Sequence, residues 1–215
     1  MRIILYLAFI IAAYLWGDWK NWRKYYPTFL FWIGGDFFYN ALLHNHRLWY
    51  FSKGIIGDKI LHGHLIVCFF IMLFSYTSTL LIYLGRFPKQ KVNQCFWFLM
   101  WVFIFSFIEF VTHRYFHSIK YQYGWNIYWS ILFNFVMFTV LKIHYSKPLL
   151  AWIISIIFLI FLSNEFNLPR ESFEWLFVFQ NQINTLYTRT RIIGKDASSK
   201  HIWVGVFFCH IVFLF

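Results

Sequence analysis

The chain has 215 residues, of which 60% are hydrophobic, 26% aromatic and only 13% charged, so it lacks the polar surface to cover a water-soluble globule and reads as a protein solvated by lipid. Its formal charge of +11 first suggests a nucleic-acid partner, but Lys and Arg are spread in twos and threes between apolar runs. Nucleic acid is therefore excluded for want of a contiguous basic patch, and the lipid bilayer with its anionic headgroups is the expected partner.

The first apolar run, about 3–16, starts like a secretory signal, but Ala12 and Ala13 are followed by Tyr14, Leu15 and Trp16, which do not suit cleavage. It reads as an uncleaved first span. Trp16, Trp19, Lys20, Trp22, Arg23, Lys24, Tyr25 and Tyr26 form an interface belt behind it. Pro27 opens a second span, about 28–43, whose Gly34 and Gly35 are expected to permit close helix contact. Further spans follow at about 60–84, 96–116, 126–143 and 149–162, separated by Gly85, Arg86 and Pro88, by Gly124, and by Pro148. Each is expected to be helical, because an unpaired backbone cannot cross lipid. The expectation is an all-α, polytopic helix bundle with five or six transmembrane helices over 1–163. Residues 164–215 are expected to form an interfacial, mobile C-terminal segment, with Pro169 to Gln182 lying on the membrane. The basic loops after spans one, three and five tip the N-terminus outward.

Two of these spans carry polar stripes. Asp36, Asn40 and His44 recur four residues apart, as do Glu109, His113 and His117. Steps of four on a helix keep three side chains within about 80° of one another, and ionisable residues inside a span are functional candidates. Alternation of the spans gathers His44, His46, His62, His64, His113 and His117 on one membrane face, and imidazoles with carboxylates form a transition-metal ligand set. Glu109, His113, His117 and His44 are the candidate metal ligands, although no metal is required by the sequence. Asp36, Asn40, Glu109 and His113 are the candidates for a proton or ion relay, in which desolvated carboxylates pass protons to imidazoles. The same residues have a plainer reading. Histidines at helix ends anchor at the interface, and Asn40, Ser106, Ser130 and Asn134 are interhelical hydrogen-bonding groups worth roughly 1 kcal/mol apiece. For Asp36 and Glu109 the two readings weigh evenly.

Cys68, Cys95 and Cys209 form no CxxC motif or disulfide framework. A glycine-rich phosphate loop, a nucleophile elbow and an HExxH motif are all absent, so hydrolase and nucleotide-driven activities have no support.

WKNWRKYYPTFLFWIGGDFFYN, the stretch of span four that ends in FSFIEF, and GWNIYWSILFNFVMFTVLKIHYSKPLLAWIIS together resemble an uncharacterised family of small multipass membrane proteins from Gram-positive, spore-forming bacteria. The resemblance covers about 19–163. It implies a bacterial plasma membrane location and a five- or six-helix bundle, and supplies no reaction. By matching position it implies that Asp36, Asn40, Glu109, Asn126, Asn134 and His144 are recurring polar residues, whereas His46, His62, His64, His113 and His117 lie outside the pattern. The leading expectation is a structural or regulatory membrane component that packs against a membrane-protein partner or another copy of itself. A proton-coupled carrier or ion conduit using Asp36 and Glu109, and a metal-dependent membrane enzyme using His113 and His117, are the alternatives.

Overall fold

Apolar runs punctuated by glycine and proline fold into helices wherever a whole turn's worth of backbone can pair internally. A computed structural model of the chain describes residues 2–43, 46–52 and 64–168. The helices are α1 (Arg2–Trp16), α2 (Trp22–Leu42), α3 (His64–Phe70), α4 (Thr77–Tyr83), α5 (Lys91–Arg114), α6 (Ile127–His144) and α7 (Pro148–Glu165). A π-helical stretch, Ile71–Tyr76, joins α3 to α4. The chain divides into two compact units, one of Met1–Ile33 with Arg47–Phe166 and one that includes Gly34–His46.

Length and hydropathy qualify α5, α6 and α7 as membrane spans. A fourth candidate counts α1 and α2 as one broken span, bent by 88°, while Val67–Tyr83 is apolar but shorter. Among the described residues three to four qualifying helices make this a helical, membrane-associated protein; the expected five or six are not reached there, because the 15-residue α1 qualifies only together with α2 and Val67–Tyr83 falls short of a span. Its boundaries also differ from the expectation. Helix α2 begins at Trp22, so Pro27 lies inside it and not in its first turn.

Within the first unit α6 packs against both α5 and α7. One third of its apolar window is buried (33%), against 22% for α5 and 11% for α7, which makes α6 the inner helix of the three. Its Phe138 is fully buried, with the rings of Tyr83, Phe105, Trp101 and Trp32 at 5.1, 5.1, 6.1 and 6.4 Å. The Tyr83 hydroxyl donates to the Phe138 carbonyl at 3.1 Å, so this aromatic core also satisfies the polar tip it buries.

The bend between α1 and α2 is pinned by backbone and side-chain bonds. Trp19 Nε1 donates to the Ala13 carbonyl at 2.7 Å, the Asp18 amide to Leu81 O at 3.1 Å, and Arg86 Nε to Trp16 O at 2.8 Å. Gly85 sits so close that a Cβ built on it would lie 2.6 Å from Asp18 Cβ. This close approach uses Gly85 where the sequence reading expected Gly34 and Gly35. A Cβ on either of that pair would meet nothing within 4 Å among the described residues.

At the far ends of these helices lies a short antiparallel ladder absent from the all-α expectation. Strand β1 (Trp49–Phe51) pairs with β2 (Ile119–Tyr121) in the register Trp49 to Tyr121, Tyr50 to Lys120 and Phe51 to Ile119. Ser52 extends it through its amide to Ser118 O at 2.9 Å and its hydroxyl to His117 O at 2.6 Å. Three residues a strand carry too little periodicity to be seen in the sequence.

Candidate functional site

Glu109 lies one turn and a half before the end of α5, and its carboxylate points between α5, α6 and β2. One oxygen, Oε1, accepts hydrogen bonds from the Tyr121 hydroxyl at 3.0 Å and from the Ser130 hydroxyl. Ser130 in turn accepts from the Trp125 indole at 2.9 Å, so an indole, a hydroxyl and a carboxylate form one continuous chain. One turn deeper, the Asn134 amide donates to Ser106 Oγ at 3.1 Å, both buried. Ser130 and Asn134 fall four residues apart on α6, and Ser106 and Glu109 three apart on α5, so two polar seams meet face to face.

His113 lies one helical turn after Glu109. Its Nδ1 is 2.9 Å from the Ile119 carbonyl, and since a carbonyl only accepts, Nδ1 carries a proton there. Its ring stacks on Tyr121 with centroids 4.0 Å apart and planes 16° from parallel. Burial, and then the charge on Glu109, push the Tyr121 phenol above its ordinary range.

The helical spacing assumed for His113 and His117 is broken. Helix α5 stops at Arg114, and His117 is exposed with φ at 47°, in the left-handed region, outside the helix. The two imidazoles therefore lose the one-face register that made them joint ligands of one ion. Among the described residues no group of three or more His, Cys, Asp or Glu side chains could hold a metal. His44 and His62, the side chain of His64, and the C-terminal segment from residue 169 onward lie outside the described residues.

Asp36 and Asn40 are neighbours on α2, as the four-residue step requires. Asn40 Nδ2 donates to the Asp36 carbonyl at 2.9 Å and to its carboxylate at 3.2 Å. Both belong to the Gly34–His46 unit and Glu109 to the other. His46, in the loop after α2, is held below the usual imidazole range by burial.

Two of the resemblance-derived positions have local structural work. Asn126 caps α6, its Oδ1 accepting from the amides of Tyr128 and Trp129 at 3.0 and 3.4 Å. His144 is buried at the other end of α6, 3.1 Å from Thr28 Oγ1 and stacked on Phe31 at 4.2 Å. Tyr121 and Trp125 were missed by sequence reasoning. Ser130 and Asn134 were expected as interhelical hydrogen-bonding groups, but nothing marks a tyrosine on a strand as the partner of a glutamate twelve residues earlier. Comparison with family models, curated proteins and solved structures gives no match for this chain.

Proposed function

We propose that the chain is a multipass protein of a bacterial plasma membrane that works as a structural or regulatory component, with its N-terminus outside. The observation that carries this reading is the way α6 is tied to three other helices. Side-chain hydrogen bonds join it to α2 through Thr28 and His144, to α4 through Tyr83 and the Phe138 carbonyl, and to α5 through both Ser106–Asn134 and Glu109–Ser130. Polar groups used as interhelical ties fit a protein that holds its shape and presents it to a partner. The resemblance over 19–163 supports the same location and a multipass helix bundle.

A second reading is favoured by one specific observation. His113 has its Nδ1 proton committed to a carbonyl and its ring stacked on a tyrosine that donates to Glu109, which is an arrangement able to accept and pass a proton at Nε2. Reconstitution into vesicles loaded with a pH-sensitive dye separates the two. A structural component gives no proton flux above empty vesicles under an imposed potential, and Glu109→Gln folds and inserts as the parent does. Flux that is present in the parent and lost in Glu109→Gln overturns the structural reading and installs the relay.

A further inference from the structure

One end of the first unit collects cations from three separate turns. Arg86 Nε reaches the Trp16 carbonyl, Lys142 Nζ sits 3.8 Å over the Phe87 ring and 5.7 Å from that of Tyr145, and Tyr145 lies 5.7 Å from Tyr25. These contacts bring together the α1–α2 bend, the α4–α5 turn and the α6–α7 turn. Lys20, Arg23, Lys24, Arg86, Lys89, Lys91, Lys142 and Lys147 all fall there, against a single acidic residue, Asp18.

Asp18 offers these cations little. Its carboxylate accepts from the Tyr25 hydroxyl at 2.6 Å and from Asn21 Nδ2 at 3.0 Å to each oxygen. Among the described residues, the opposite end of the unit holds Arg2, Arg47, Arg114 and Lys120, with Glu109 and Glu165 to offset them. The 24 residues of α5 separate the two ends by about 36 Å, beyond several Debye lengths at physiological salt. The charged end is also ringed by exposed Trp16, Trp19, Trp22 and Tyr26, with Arg23 5.9 Å from the Trp22 ring centroid. Amphipathic rings beside cations are the composition of a headgroup layer.

We infer that this end is a docking surface for anionic phospholipid headgroups, with Arg86 and Lys142 at its centre and the Lys20–Lys24 belt at its edge. Lys142 is the informative residue. It is half-buried, and its described partners are aromatic faces, which attract the ammonium without neutralising it. The inference rests on the chain lying in a membrane.

The test compares full-length protein in nanodiscs of phosphatidylcholine with protein in nanodiscs that also contain phosphatidylglycerol, and counts retained lipids by native mass spectrometry. The parent retains phosphatidylglycerol in preference to phosphatidylcholine, and Arg86→Gln and Lys142→Gln each weaken that preference about fivefold, the size of one surface cation's attraction to an anionic leaflet. Arg114→Gln and Lys120→Gln leave it unchanged. Should Lys142→Gln fail to fold, the exposed Lys20→Gln/Lys24→Gln pair carries the test with Arg86→Gln. Equal retention of the two lipids, or equal loss from substitutions at either end, overturns the inference. Failure to enter nanodiscs at all overturns the membrane reading beneath it. A parent that shows no lipid preference but binds an acidic protein through the same cations also overturns it, in favour of a protein partner.

Discussion

Ser130→Ala is the sharpest perturbation of the α5–α6 seam, because one hydroxyl serves two partners. Its loss removes the donor to Glu109 and leaves the Trp125 indole N–H, a donor only, without its acceptor. An interhelical hydrogen bond in a bilayer contributes about 0.6–1.7 kcal/mol, and a buried donor left unpaired costs about 1–3 kcal/mol, so Ser130→Ala is expected to destabilise by about 2–4 kcal/mol. Glu109→Gln keeps an oxygen that accepts from both Ser130 and Tyr121, and is expected to cost less than about 1 kcal/mol. Adding Trp125→Phe to Ser130→Ala removes the stranded donor, so the double variant should be more stable than the sum of the two single effects predicts. The assay is reversible unfolding in mixed micelles by titration with SDS, followed by far-ultraviolet circular dichroism. The reasoning is refuted if Ser130→Ala stays within about 0.5 kcal/mol of the parent, the range of an unremarkable surface change. It is equally refuted if Glu109→Gln loses as much as Ser130→Ala, since the charge would then matter and not the hydrogen bonds.

The α1–α2 bend supplies two further expectations. Gly85→Ala forces a Cβ to within 2.6 Å of Asp18 Cβ, and the overpacking should cost about 1–3 kcal/mol, read as a lowered melting temperature in detergent. The hydrogen bond from Tyr25, and then those from Asn21, hold the Asp18 carboxyl below its ordinary range. A depressed carboxylate contributes stability that is present above its unfolded value of about 3.9 and is lost as pH falls through the folded value. The melting-temperature gap between parent and Asp18→Asn should therefore be constant near neutral pH and close below about pH 4, and a gap that persists into acid contradicts the assignment. Metal content by elemental mass spectrometry is expected to be far below stoichiometric, and equal in the parent and a folded His113→Ala/His117→Ala variant. Near-stoichiometric metal lost in that variant would restore the metal-enzyme reading.

Composition decided the solvent. A chain with 60% hydrophobic and 13% charged residues can satisfy its backbone in lipid only by helices here, and the runs that became α1, α5, α6 and α7 lie within a few residues of where hydropathy put them. The four-residue polar step also survived where helix persisted, since Asn40 reaches back to Asp36. Those properties are local, and sequence determines them because they follow from helical geometry over a single turn.

The rest needed the tertiary structure. His117 left the stripe because α5 ends three residues before it, and the strand pairing of Ser52, Phe51 and Trp49 with residues more than sixty positions away holds that end in a ladder. Gly85 became a contact glycine because a glycine's worth depends on what approaches it, and among the described residues Asp18 in the bent α1–α2 corner approaches Gly85 while nothing comes within 4 Å of a Cβ on Gly34 or Gly35. Glu109 acquired Tyr121 as a partner through a chain reversal that no periodicity encodes. Spacing along a helix states which side chains share a face; which faces meet is fixed by packing between segments distant in sequence, and that is where the seam, the corner and the cationic end of this protein were decided.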